Sequence, residues 1–246
     1  MKWKIRPLVS FLLVIPSLLL AEEAKPKYGP EAVPLSKRNE YLRKRPAPDY
    51  WALAPYYAAQ FNEKACSVAS VAMVLNAARR GWRLSSDEPL ITQTTLLEKV
   101  KSPRWDEAIL SKKTVRTLSM DEVGDLLKKS LQSYGLKGSV ELFHTDDTLP
   151  ETEKRLHEVL VQNEKSGDDF LIINFIQGIY TDDADVGHIA PIGAYDAKRR
   201  QVLVMDPDRE WYEPYWVSEG TLLKGMATID RDWDRNRGYI WVKITN

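Results

Sequence analysis

The sequence predicts an α+β domain, with helices first and an antiparallel sheet after them. Apolar residues recur at three- and four-residue spacing through Ala65–Arg80, through stretches of 87–135 and through Glu151–Gly167, the period of a helix with one buried face. Beyond Phe170 the chain changes to short runs rich in β-branched and aromatic residues, bounded by turn residues, as strands are. Helices followed by strands argue for α+β rather than alternating α/β. The 246 residues suffice for one full-sized domain or two small ones with a real core. The 35 basic and 35 acidic residues balance. No basic stripe is present, which argues against nucleic acid as a partner.

The chain opens with Lys2, Lys4 and Arg6, followed by the apolar run Leu8–Ala21. That run is short for a membrane span and fits a signal peptide, residues 1–21, cleaved after Ala21. Leu19 departs from the small residue usual before a cleavage site. The expected location is therefore exported, periplasmic or extracellular. Residues 22–49 carry Pro26, Pro30, Pro34, Pro46 and Pro48 and no sustained apolar period. They read as a proline-rich linker or arm, with the globular domain spanning 50–246.

Ala65–Arg80 is the strongest helix. Val68, Val71, Ala72, Leu75 and Ala78 keep a helical period, and Ala65, Ser67, Ala69 and Ser70 leave the other sides small. Such a helix can be approached closely from several directions, which suggests a central buried one, and Gly81 closes it. In "SMDEVGDLLKKSLQSYG", Ser119 and Glu122 fit a capping box and Gly135 a stop. "FLIINFIQ", "HIAPIGAYD", "QVLVMD" and "GYIWVKI" are the expected strands.

Cys66, the single cysteine, stands where the central helix begins. A lone thiol in an exported chain is either inert and buried or kept for chemistry. Unpaired amides and the helix dipole at a first turn favour a thiolate. A cysteine nucleophile also needs a base and a group that orients the base. His144 lies in a turn-like polar stretch and His157 in an amphipathic helix. His188 enters an otherwise apolar strand and needs a partner, either a catalytic one or simply a backbone carbonyl. Asp206 ends the next strand. Side chains alternate along a strand, so a turn of two or four residues would set Asp206 opposite Pro191 and on the wrong face for His188. An odd-length loop around Ala197–Arg200, or a bulge at Pro191, would bring both to one face as diagonal neighbours. Gln60, six residues before Cys66, and the Cys66 amide could donate to an oxyanion.

Gln60, Cys66, a strand-borne histidine and then an acid is the chain order of papain-like cysteine peptidases. "QFNEKACSVASVAMVLNA", "GHIAPIGAYDAKRRQVLVMDPDREWYEPYWV" and "MATIDRDWDRNRGYIWVKI" resemble the phytochelatin synthase family more closely. The resemblance implies a papain-like fold: a helical lobe with a central Cys-bearing helix, packed on an antiparallel sheet carrying His and Asp. It implies a γ-glutamylcysteinyltransferase or peptidase that takes glutathione. Cys66 would be acylated by γ-Glu-Cys, His188 would be general base and acid, Asp206 its orienter, and Gln60 part of the oxyanion hole. Asp230 and Arg237 match positions that hold the γ-glutamyl ammonium and carboxylate. Arg209 and Tyr212 match positions on the acceptor side. Without the resemblance, Asp230 and Arg237 read as a solvated turn.

Ser67 stands where the family usually has glycine. Trp211 stands where it commonly has lysine, and the long cysteine-rich C-terminal region of plant members has no counterpart. These departures favour transfer of the acyl group to water over transfer to a second glutathione. The resemblance implies no intrinsic cofactor and no metal site in the triad. Cadmium or zinc would arrive as thiolate complexes of glutathione, and a homodimer is a further expectation from the family. The competing readings are an exported peptidase for other short peptides and a non-catalytic binder of glutathione or its metal complexes.

Overall fold

A computed structural model of the chain describes residues 27–82, 89–113, 115–183 and 185–245; the expected signal segment, 1–21, lies outside the described residues. Along the chain come β1 (Val33–Pro34), α1 (Glu40–Lys44), α2 (Pro48–Leu53), α3 (Cys66–Ala78), α4 (Gln93–Val100), α5 (Pro103–Leu110) and α6 (Met120–Ser133). Then follow β2 (Gly138–His144), α7 (Pro150–Asn163), β3 (Asp169–Ile176), α8 (Gln177–Thr181), β4 (Gly187–Asp196), β5 (Gln201–Val204) and β6 (Tyr215–Ser218). The final elements are α9 (Glu219–Met226), β7 (Ile229–Asp230), β8 (Arg235–Asn236) and β9 (Gly238–Ile244). Seven strands form one antiparallel sheet in the order β1-β6-β5-β4-β3-β9-β2, and β7 and β8 form a separate hairpin. This is the α+β architecture expected, with a helical lobe against an antiparallel sheet.

Every residue of α3 after Cys66 is buried. A helix apolar on all sides belongs inside, and its alanines and serines let neighbours approach. One face of the sheet packs Phe170, Ile172, Ile189, Ile240 and Val242 against α3 to α6. The other packs Leu171, Ile173, Phe175 and Tyr239 against α7 and α9. Burial on both faces explains why β3 reads as an unbroken apolar run rather than an alternating one. The Ser119–Glu122 capping box forms as expected, with the Ser119 hydroxyl accepting from the Glu122 amide at 3.0 Å and the Glu122 carboxylate from the Ser119 amide at 2.9 Å. β2, which ends at the stretch around His144 read as turn-like, is an edge strand paired, among the described residues, only to β9.

The loop between β4 and β5 resolves the question of facing. Asp196 pairs with Gln201, so the turn has an even four residues, and the pairing then slips by one between Ile192 and Ala194. A bulge is therefore present, but at Gly193 rather than Pro191. Beyond it, the Met205 amide donates to the Pro191 carbonyl at 2.9 Å, and the register sets Asp206 opposite Ala190. His188 and Asp206 thus share a face. A Cβ on Gly193 would fall 2.8 Å from Cγ and Sδ of the buried Met205, so a side chain at the bulge would have to displace Met205.

The proline-rich stretch is not a free linker. β1 pairs with β6, and Leu42 and Ala47 pack with Ala194, Leu203 and Trp216. The Trp216 indole donates to the Arg38 carbonyl at 2.8 Å. The arm docks through backbone pairing and isolated apolar anchors, which leave no period in the sequence.

Gly193→Ala is expected to lower the unfolding free energy by about 1–3 kcal/mol, the usual cost of overpacking. Urea denaturation checks this. A smaller loss when it is combined with Met205→Ala than the two single losses predict would tie the effect to that contact.

Candidate active site

Cys66 is the first residue of α3, half-buried, at a helix start whose N-cap residue, Ala65, supplies no side-chain acceptor to the first amides. Those amides point where a negative charge is stabilised. The Asn62 side chain shapes the approach by accepting the Lys64 amide at 2.9 Å and donating to the Ile109 carbonyl at 3.1 Å. One helical turn beyond the thiol, the Ser70 hydroxyl donates to the carbonyl of Ile189 at 3.1 Å. Helix and strand are therefore locked together next to both Cys66 and His188.

The His188 ring is 5% exposed and packs edge-on against Phe175 at 5.6 Å. Its Nε2 donates to Asp206 Oδ1 at 2.6 Å. The Cys66 thiol is among the groups that act on the same ring, and with Nε2 taken by Asp206, Nδ1 is the nitrogen left for it. Burial alone would pull the imidazole down. The Asp206 carboxylate and the thiol outweigh it, and the ring is held well above its usual range. Burial likewise pushes Asp206 up, yet the His188 charge and hydrogen bonds bring it below the usual carboxylate value. Asp206 has no exposed surface. Its Oδ1 also accepts the Asp208 amide at 2.9 Å, and its Oδ2 accepts Gln177 Nε2 at 3.2 Å and the Tyr215 hydroxyl at 2.9 Å. A buried carboxylate with this many donors is the charged form, fixed in orientation.

The alternative of a histidine satisfied by a backbone carbonyl thus fails for His188. A carbonyl partner occurs instead at His144, whose Nδ1 donates to the Asn236 carbonyl at 2.6 Å. His157 sits between the Tyr195 hydroxyl at 2.7 Å and Glu219 at 3.1 Å.

His188 opens on a cleft of about 940 Å³ with Gln60, Asn62 and Leu110 on one side and Arg209, Trp211 and Tyr212 on the other. The Gln60 amide N–H donates to the Pro207 carbonyl at 2.8 Å, and its side-chain oxygen is buried without a partner. Trp211 is 60% exposed. The Arg209 guanidinium lies 4.6 Å from the centre of the Tyr57 ring. Tyr212 is buried and donates to Asp183 at 2.5 Å, which gives the acidic loop before His188 a structural partner.

Asp230 and Arg237 are not a solvated turn. They are 9% and 5% exposed and their charged groups lie 3.7 Å apart. Arg237 Nη1 donates to the Ile229 carbonyl at 2.7 Å, and its Nε is buried with no partner among the described residues. The guanidinium packs on Gly187, where a Cβ would fall 2.9 Å from Nη2. The pair stands beside the neighbour of His188, behind the cleft wall, and not on the main cleft surface.

Sequence reasoning passed over Gln177, Tyr215 and Tyr57, whose hydroxyl donates to the Asp206 carbonyl at 2.5 Å. Tyr215 lies inside the quoted "EPYWV"; nothing in the local pattern singles out Gln177 or Tyr57. Ser67 faces the helical lobe, where its hydroxyl accepts the Trp105 indole N–H at 3.2 Å.

A family model described as phytochelatin synthase matches residues 36–239. The chain is 28% identical over 206 residues to glutathione gamma-glutamylcysteinyltransferase 2 of Arabidopsis thaliana, covering 83% of this chain and 42% of that protein. It is 27% identical over 206 residues to glutathione gamma-glutamylcysteinyltransferase 1 of the same plant, covering 83% and 39%. To glutathione gamma-glutamylcysteinyltransferase 3 of Lotus japonicus it is 27% identical over 199 residues, covering 78% and 36%. It therefore spans less than half the length of these curated relatives. With its family model covering most of the chain, the chain belongs to the phytochelatin synthase family.

Proposed function

We propose that this chain cleaves the Cys–Gly bond of glutathione and transfers the γ-Glu-Cys acyl group, chiefly to water. The observation that carries the reading is the buried His188 ring, bonded to Asp206 through Nε2, on the strand that the Ser70–Ile189 bond ties to the helix opened by Cys66. The Cys66 thiolate attacks the carbonyl carbon of the Cys–Gly bond. The oxyanion accepts hydrogen bonds from the Cys66 amide and the Gln60 side chain. The His188 imidazolium gives its proton to the departing glycine nitrogen, and a thioester of γ-Glu-Cys remains on Cys66. His188, now neutral, takes a proton from the incoming water or from the amine of a second glutathione. Collapse of the second tetrahedral intermediate expels the thiolate and restores the pair. Asp206 keeps the ring in one tautomer throughout.

Asp230 and Arg237 are the proposed partners of the γ-glutamyl ammonium and carboxylate, the guanidinium offering a planar fork. The Nε of Arg237, without a partner among the described residues, supports a further acceptor there. Arg209 and Tyr212 are assigned to the acceptor side. Trp211 lines the cleft with an apolar ring at a position where the family commonly has lysine, which supports water as the main acceptor. Soft metal ions enter as glutathione thiolates, that is, as substrate. Export after removal of residues 1–21 completes the proposal.

Incubated with glutathione, the purified protein is expected to release glycine and γ-Glu-Cys, and Cys66→Ala to release neither. Mass spectrometry reads both, and also (γ-Glu-Cys)₂-Gly with and without cadmium. Glutathione that binds without glycine release would leave a binding protein; cleavage of other short peptides in its place would leave a general peptidase.

The raised His188 value sets the sign of the pH dependence. The ring is protonated below it and loses its proton as pH rises through it. Glycine release is therefore expected to persist above the ordinary imidazole range and to fall only at alkaline pH. Asp206→Asn should move that limb down and reduce kcat on the order of 10²–10⁴-fold; a pH series of initial rates decides.

Arg237→Lys should raise KM for glutathione by about tenfold, roughly one charge-assisted hydrogen bond, while leaving the rate of Cys66 alkylation by iodoacetamide near the parent value. Parallel steady-state and alkylation assays separate the two.

A further inference from the structure

Three tyrosine rings meet behind the catalytic acid. Tyr28 packs edge-on against Tyr212 at 5.6 Å and Tyr215 at 6.1 Å, and those two meet each other at 5.9 Å. Two of the hydroxyls are committed to the site. Tyr215 donates to Asp206 at 2.9 Å, and Tyr212, a cleft residue, donates to Asp183 at 2.5 Å. The third hydroxyl, on Tyr28, accepts the amide of Glu213, which lies between them in sequence, at 2.9 Å. Tyr28 belongs to the arm and lies ahead of the residues that the family model matches. The arm is anchored at several points after it: the Gly29 amide donates to the Thr181 carbonyl at 2.7 Å, the Leu35 amide to the Pro214 carbonyl at 2.7 Å, and the Ser36 hydroxyl to the Glu213 carboxylate at 2.5 Å.

We propose that the amino-terminal arm completes the catalytic centre, with Tyr28 as a positioning residue that holds Tyr212 and Tyr215 and, through Tyr215, the Asp206 carboxylate. The inference rests on the catalytic reading of Cys66, His188 and Asp206. Tyr215 is wholly buried, so the direction of its hydroxyl is set by what surrounds the ring. Without the Tyr28 ring, Tyr215 and Tyr212 each lose one of their two aromatic neighbours in this cluster and gain room to turn. Asp206 Oδ2 then depends on Gln177 alone. A carboxylate with fewer donors is a weaker partner for a protonated His188.

The charged and titratable groups around this pair come from several elements: Cys66 from α3, Tyr57 ahead of it, Asp208 and Arg209 after β5, and Asp183, Glu210 and Glu213 nearby. Of these, substituting Tyr28 touches only Glu213, and Ser36, which bonds the Glu213 carboxylate from outside the ring cluster, tests that residue by itself.

The test compares the parent protein with Tyr28→Ala, Tyr28→Phe, Tyr215→Phe and Ser36→Ala in two assays. One is the pH profile of Cys66 alkylation by iodoacetamide; the other is the pH profile of glycine release. Tyr28→Ala should lower kcat about tenfold and move the alkaline limb of the pH window, set by His188, down by about half a unit to one unit, as expected for a lost hydrogen bond to a charged group. Tyr215→Phe should do the same, and the double variant should add little to either. Tyr28→Phe, which keeps the ring, should restore most of the rate. Ser36→Ala, which loosens the same arm away from the rings, should leave the window in place. Should Tyr28→Ala fail to fold, Tyr28→Leu fills the space without the ring and reads the same window. A Tyr28 variant that melts earlier yet keeps the parent window and kcat overturns the role of the arm alone. A parent protein with no ion-pair window overturns the catalytic reading and this inference with it.

Discussion

The site depends on one parity requirement: the imidazole of β4 and the carboxylate at the end of β5 must point to the same side of the sheet. The 2.6 Å bond between His188 and Asp206 exists only because the ladder slips by one residue at Gly193. An unslipped ladder behind a four-residue turn would leave a charged Asp206 without its imidazole and drive a buried carboxyl group toward its neutral form. The bulge therefore determines an electrostatic state as well as a register. The remaining features follow from having a charged carboxylate in the interior: Gln177, Tyr215 and the Asp208 amide converge on it because an unpaired buried charge is costly, and these groups are cheap to supply from three neighbouring segments.

α3 supplies the other half of the geometry. A helix that presents a thiol at its first turn must be fixed along its axis and about it, or the sulfur wanders from the ring. Complete burial beyond Cys66 and the Ser70–Ile189 bond provide that fixation. Small side chains make it possible, since the sheet and the helical lobe both come close. Ser67 is accommodated by the same means. Its hydroxyl is taken up by Trp105 in the lobe, so a departure from the family pattern next to the nucleophile is absorbed by packing.

Much of this was legible in the residues. The helical period of Ala65–Arg80, the capping box at Ser119 and the apolar strands came directly from spacing, because two-faced burial and amide capping constrain side chains locally. Parity along the strands was enough to require either an odd loop or a bulge. It located the bulge two residues away because the clash that a side chain at Gly193 would meet comes from Met205, across the ladder. The docked arm was not legible: its contacts are backbone pairs and single anchors such as Leu42 and Tyr28, with no period. β2 escaped notice as a half-exposed edge strand. The burial of Asp230 and Arg237 could not be read from a charged turn, since part of it comes from Gly187, on another strand, against which the guanidinium packs.

The order of strands has a consequence for how the molecule comes to exist. β9 is the last strand along the described chain, yet it lies between β3 and β2. The helical lobe reaches the sheet partly through α6 and β2, and among the described residues β2 pairs only with β9. Contacts between segments this distant in sequence form late, because the chain must close long loops before they repay the entropy. The thiol and the ring, on α3 and β4, are themselves joined by contacts distant in sequence, through the Ser70–Ile189 bond and the packing of α3 on the sheet. Without those contacts the chain holds a thiol apart from its imidazole, so the catalytic pair is a product of long-range packing and not of either segment alone.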